Sequence, residues 1–161
     1  MLKGLHHAAY RCRDSEETRK FYEDFLKLPL ANAFEITTTK TSRDANVLHS
    51  FYEMGDGSFI AFFEAPGKPF DFKQQHDFDL HIALEVENDV LHEMFERGKK
   101  EGIETRGIAD HGFIHSIYFR DPNGYVVELT AKQPGKQEDG AEARNAARDA
   151  LDAWQESKPA A

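Results

Sequence analysis

The sequence predicts an α+β chain of two successive βαβββ modules with a C-terminal helical tail, and three observations predict it. A histidine-bearing strand precedes a helix start by the same distance twice: His7 stands seven residues before Asp14, and His81 seven before Asn88. Each helix is followed by three β-prone runs. Each half then closes on a strand carrying a carboxylate, Glu64 in the first and Glu128 in the second, and the turn Asp121-Pro122-Asn123-Gly124 mirrors Asp56-Gly57.

The elements follow in order. Residues 5–12 read as a strand, and Asp14 with Glu17 forms a capping-box-like helix start. Phe21, Tyr22, Phe25 and Leu26 give that helix one apolar face, and Pro29 ends it. The Thr-rich stretch 31–46 reads as a weak strand followed by a loop. Residues 47–53 and 58–65 flank Met54-Gly55-Asp56-Gly57 as a hairpin. Pro66, Gly67 and Pro69 mark 66–78 as a linker between the halves. The second half starts with the strand from Leu80 to Val86. Asn88 is expected as N-cap, Val90, Leu91, Met94 and Phe95 as the buried helix face, and Gly102 as a left-handed stop. Strands are predicted at 103–108, 116–120 and 125–131. The modules thus occupy about 4–65 and 79–131 of a domain spanning 1–132. In the tail, 133–161, Ala143, Ala147, Leu151 and Trp154 line one side of a helix over 141–156, expected to pack or to clasp a second copy.

At 161 residues the chain suits one domain, or two small fused units sharing a core. The formal charge of −9 offers no basic stripe for phosphates, which excludes a nucleic-acid partner. No apolar run approaches the roughly 20 residues that span a bilayer, and no secretory signal opens the chain, so a cytoplasmic protein without membrane contact is expected. The lone Cys12 can form no internal disulfide and reads as a small buried strand residue.

The chemistry rests on residues placed on separate strands. Side chains alternate across a strand, so His7 shares a face with Ala9 and Arg11, His81 with Ala83 and Glu85, and Glu128 with Val126 and Thr130. Pairing two such modules about a pseudo-twofold axis would bring these positions to a shared metal-binding cup. Two neutral imidazoles and a carboxylate form a facial triad with open coordination positions, suited to Fe(II) and also to Mn(II), Ni(II) or Zn(II). His7 is preferred to His6 by the repeated spacing, which leaves His6 as a packing or supporting group. The run Phe59, Phe62, Phe63, Phe70, Phe72 and Phe78 is read either as core or as an apolar pocket wall.

Leu5-His6-His7 before Asp14, Asp79-Leu80-His81-Ile82-Ala83 and Asp121-Pro122-Asn123-Gly124-Tyr125-Val126-Val127-Glu128 resemble the glyoxalase/bleomycin-resistance/extradiol-dioxygenase superfamily, also called vicinal-oxygen-chelate proteins, over about residues 4–131. The resemblance implies paired βαβββ modules around one divalent metal held by His7, His81 and Glu128, a small-molecule substrate, and a homodimer. The segment from His111 through Tyr118 to Glu128 further resembles the signature of extradiol ring-cleaving dioxygenases, departing from it at Ala109. That likeness implies an Fe(II) enzyme cleaving a catecholic ring, with His111 and Tyr118 on the substrate oxygens. His76, only five residues before His81, is the candidate acid-base histidine of that family, and His115 a second one; His49 and His92 read as surface residues.

Two alternatives stay open. The order His7, Glu64, His81, Glu128 is that of a glyoxalase-I-like isomerase or related epimerase, in which Glu64 would be a fourth ligand or proton shuttle. A non-catalytic antibiotic-binding protein of the same superfamily is the other, although such members generally lack the ligands present here.

Overall fold

The structure, a computed structural model, describes residues 1–38, 44–135 and 141–159. The order is β1 (His7–Cys12), α1 (Ser15–Arg19) running into a π-helical segment (Lys20–Phe25), β2 (Leu30–Thr38), β3 (Asp44–Glu53) and β4 (Phe59–Glu64). There follow β5 (His81–Glu85), α2 (Asn88–Lys100), β6 (Thr105–Asp110), β7 (Ile114–Arg120), β8 (Val126–Lys132) and α3 (Ala141–Ser157). Two four-stranded sheets result, ordered β1-β4-β3-β2 and β5-β8-β7-β6. The same βαβββ wiring thus occurs twice, as the repeat predicts. Parts of the predicted loop at 31–46 and of the stretch at 133–140 lie outside the described residues.

The chain divides into two compact units, one of residues Met1–Ile82 with Phe119–Val127 and one of Ala83–Tyr118 with Glu128–Ala161. In the first, β1 runs parallel to β4 while β2-β3 and β3-β4 are antiparallel. Asp14 caps α1 by accepting from the Glu17 amide at 2.8 Å, but Glu17 itself turns to Arg13, so only half of the capping box forms. The predicted apolar face then seats the helix: Phe21, Tyr22 and Phe25 are buried, with Tyr22 4.7 Å from Phe62 and Phe25 edge-on to Phe119 at 5.1 Å. Cys12, Ile60 and Tyr52 complete this core, and each fully buried large apolar side chain contributes about 1.5–3 kcal/mol. Burial pushes the Tyr52 hydroxyl pKa up to about 12. Strand β2 is longer than its polar sequence promises. Its ladder to β3 supplies the pairing that propensity does not, and as an edge strand it leaves nearly all its side chains exposed.

In the second unit Leu91 and Met94 face inward from α2, whereas Val90 is 39% exposed, one position off the buried stripe. The N-cap is Glu87 rather than Asn88, which is the first helical residue. Gly102 ends the helix as expected, at φ 73°, with the Ile103 amide on the Gly98 carbonyl at 2.9 Å and the Gly102 amide on that of Lys99 at 3.3 Å. This paired cap consumes Ile103, which is why β6 starts two residues later than predicted. Along α3, Leu151 and Trp154 remain 48% and 64% exposed. No helix among the described residues is long and apolar enough to cross a membrane.

Candidate metal centre

His7 opens β1 and is exposed, with Ala9 and Arg11 on its face, while Tyr10 and Cys12 point to the core. Nδ1 of His7 lies 2.8 Å from Nδ1 of His6, so one ring donates its N–H and the other accepts. His6 precedes the strand, and its carbonyl accepts from the Phe59 amide at 3.0 Å. It is therefore tied to β4 through its backbone and to His7 through its ring.

His81 opens β5, and the turn before it aims the Asp77 carbonyl at Nδ1, 2.7 Å away. A carbonyl oxygen only accepts, so Nδ1 carries the proton of the neutral ring and Nε2 keeps its lone pair, the tautomer a metal ligand needs. On β5, His81, Ala83 and Glu85 share one face. On β8, Glu128, Thr130 and Lys132 share one, and Glu128 is buried at 5% exposure. Glu85 and Lys132, the ends of these two rows, form an ion pair at 2.9 Å. Two imidazoles and a carboxylate are donors that fit a borderline divalent ion. Among the described residues, no three His, Cys, Asp or Glu side chains are gathered into a ready-made metal-holding group.

His111 and Tyr118, seven residues apart, are brought together: His111 Nε2 lies 3.0 Å from the Tyr118 hydroxyl, and the Arg106 guanidinium sits 5.3 Å from the centre of the Tyr118 ring. His76 is exposed in the turn before β5, where its Nδ1 accepts from the Phe78 amide at 3.2 Å. His115 falls on the opposite face of β7 from Tyr118 and lies 3.7 Å from Asp110.

Glu64 sits elsewhere. In the register of β1 and β4 it pairs with Cys12, on the core-facing side, whereas His7 pairs with Phe59. Its Oε2 accepts from the Ser15 amide at 2.8 Å, so Glu64 satisfies one of the orphan donors at the start of α1. Counted from the start of each closing strand, the residue in the place of Glu128 is Ala61.

The turn after β7 is structural. Asp121, 2% exposed, accepts from the amides of Asn123 (2.9 Å) and Tyr125 (2.8 Å), from the Tyr22 hydroxyl (3.1 Å) and from Asn123 Nδ2 (3.1 Å). Asn123 Oδ1 in turn accepts from the Arg13 amide at 2.8 Å. Burial, outweighing these hydrogen bonds, raises the Asp121 pKa above the ordinary carboxylate value.

His49 is the residue that sequence reasoning placed wrongly. It is not on the surface but 6% exposed, stacked on Phe63 at 3.7 Å, with its ring 6.4 Å from that of His7. Alternation along 47–53 puts it on one face with Phe51, a signal that does not tell which face is buried. His92 is exposed, as expected. The Phe-rich run divides between the two readings: Phe62 is core, Phe59 and Phe63 lie on the His7 face, and Phe78 is 94% exposed.

Comparison with known proteins gives a consistent result. The model of the Glyoxalase/Bleomycin resistance protein/Dioxygenase superfamily matches residues 4–129. The metallothiol transferase FosB of Shouchella clausii is 26% identical over 140 residues, covering 80% of each chain. MhqA of Bacillus subtilis, provisionally named a ring-cleaving dioxygenase, is 26% identical over 141 residues, which span 84% of this chain and 42% of MhqA. Among solved structures, a glyoxylase/bleomycin resistance protein/dioxygenase domain from a Frankia species aligns with TM-score 0.66 at 20% identity, covering 83% of this chain and all of that one. A variant of the fosfomycin resistance protein FosX from Listeria monocytogenes, complexed with Mn(II) and 1S,2S-dihydroxypropylphosphonic acid, aligns with TM-score 0.61 at 24% identity over 83% of this chain and 96% of that one. These two structural likenesses speak for the fold.

Proposed function

For a chain that belongs to the Glyoxalase/Bleomycin resistance protein/Dioxygenase superfamily, we propose a metal-dependent enzyme that cleaves a catecholic ring with dioxygen. His7, His81 and Glu128 would hold the ion. The observation that carries the reading is the hydrogen-bonded pair His111 and Tyr118. A catechol must lose hydroxyl protons to chelate a metal through both oxygens, and an imidazole sharing a proton with a phenol at 3.0 Å is the chain's own acceptor for one of them. His76, whose Nδ1 is taken by the Phe78 amide, keeps Nε2–H as a donor for the return step. A bound divalent metal, Fe(II) in this reading, supplies the Lewis acidity and redox capacity. Both oxygen atoms enter the product, so no external reductant is required.

The isomerase alternative needs Glu64 at the metal, and the hydrogen bond to Ser15 together with its core-facing register speaks against it. A small-molecule substrate, a cytoplasmic setting, a homodimer, and a 1–132 domain with a separate tail belong to the same proposal. The similarity to FosB, a metallothiol transferase, over most of both chains favours a second reading, metal-dependent transfer of a thiol.

The test is anaerobic reconstitution with Fe(II), Mn(II), Ni(II) or Zn(II), each form assayed with catechols and oxygen uptake, with a glutathione hemithioacetal, and with fosfomycin plus a thiol. Ring opening with oxygen uptake in the Fe(II) form alone is the expected result; turnover only of the hemithioacetal or only of fosfomycin replaces it with an isomerase or a transferase. In the dioxygenase, Tyr118→Phe keeps the metal and slows turnover about 100-fold or more. Unchanged turnover removes Tyr118 from the reaction.

A further inference from the structure

We propose that the His7 face of the first sheet binds a planar hydroxylated aromatic ring, with His49 accepting its hydroxyl hydrogen bond and Phe34, Phe51 and Phe63 supplying the stacking surface. The proposal deepens the ring-cleavage reading and rests on it for the reaction, but the binding it describes needs no metal.

The register builds the surface. On this face Ala9 lies beside Ala61, which lies beside Phe51; Arg11 lies beside Phe63, Phe63 beside His49 and His49 beside Phe34. The other face, with Tyr10, Cys12, Ile60 and Phe62, carries the unit's core. On the His7 face Ala61 and His49 are buried among the aromatics, while Phe34 at its edge is left 43% exposed. Phe34 and Phe51 are stacked at 5.8 Å and 23°, and the small Ala9, itself exposed, sits between His7 and Arg11.

His49 gives the surface a direction. Its Nδ1 lies 2.9 Å from the Phe62 carbonyl, which only accepts, so Nδ1 is protonated and Nε2 of the neutral ring carries a lone pair. Among the described residues, Nε2 of His49 has no hydrogen-bond partner. An imidazole set between Phe63 at 3.7 Å and Phe51 at 4.2 Å has lost most of its water, and an acceptor in that setting gains from an incoming O–H. An aromatic alcohol satisfies both demands at once, since its ring stacks on the phenylalanines while its hydroxyl donates. An aliphatic alcohol satisfies only the second. Arg11 on the same face adds a cation for a phenolate or ring carboxylate.

The experiment uses the full chain, stripped of metal by chelation, with labelled histidine and phenylalanine side chains followed by NMR during titration with phenol and, separately, cyclohexanol. Phenol is expected to move the His49 and Phe51 ring signals and to bind about tenfold more tightly than cyclohexanol. His49→Phe, which keeps the stack and removes the acceptor, should weaken phenol several-fold and cyclohexanol less, because phenol is the stronger hydrogen-bond donor. Should that variant fold poorly, Phe34→Leu, at an exposed position, should lower the preference for phenol. Equal binding of the two alcohols, still His49 signals, or a preference indifferent to both variants overturns the proposal. A parallel Mn(II) titration reports on the metal reading separately.

Discussion

At Asp121 a carboxylate serves architecture: its two oxygens collect four donors from Tyr22, Asn123 and Tyr125, and Asn123 carries the tie on to Arg13. Asp121→Asn can still accept from both amides, but its new Nδ2 would meet Asn123 Nδ2, donor against donor, at a cost of about 1–3 kcal/mol. Because burial raises the folded pKa, the stability Asp121 contributes by binding its proton is complete below the ordinary carboxylate value. It is lost as pH rises through the raised one. Urea unfolding across that window should show the gap between wild type and Asp121→Asn widest at the acid end and narrowing above it; a constant gap contradicts this. Pattern made some residues legible and left others hidden. His111 and Tyr118 were legible only through their resemblance to the dioxygenase signature; spacing alone does not predict their approach, because β7 carries Tyr118 away from the turn and the two long side chains close the gap. His49 could not be assigned, since alternation says which residues share a face but not which face is covered. Glu64 entered the sequence argument because a carboxylate was counted in each closing strand, whereas its position in the strand decides its direction.

Glycines separate two kinds of constraint at the level of elements. Gly102 ends α2 at φ 73° with open space around the position of a Cβ, so Gly102→Ala costs only the left-handed penalty, about 1–2 kcal/mol. Gly124 also has positive φ, but a Cβ there would collide with the backbone of Lys73, which cannot swing aside as a flexible side chain can. Gly124→Ala adds to the same penalty an overpacking cost of about 1–3 kcal/mol. Urea midpoints should therefore fall further for Gly124→Ala than for Gly102→Ala, and equal shifts would show that the segment around Lys73 yields freely. Gly102 was readable because a helix stop after an amphipathic run has a local cause. The close approach at Gly124 was not, because the partner lies some fifty residues away in a stretch that reads as a linker. The same holds for β2, where pairing to β3 overrides a polar, Thr-rich sequence.

Two sheets with the same strand order account for the repeat at the scale of the molecule, and the repeat is what made the fold readable before any coordinate. The compact units do not follow the repeat: the segment Phe119–Val127 belongs with the first unit, and the links from Asp121, Asn123 and Gly124 to Arg13, Tyr22 and Lys73 are the physical reason. No local pattern encodes such links. The direct test of the account is the metal itself: titrate wild type, His7→Ala, His81→Ala and Glu128→Ala with Mn(II), and count bound ion by electron paramagnetic resonance while circular dichroism monitors the fold. The account predicts one equivalent in the wild type and loss of at least tenfold in affinity in each folded variant. A wild type that binds no ion, or a folded His81→Ala that keeps a full equivalent at unchanged affinity, contradicts it.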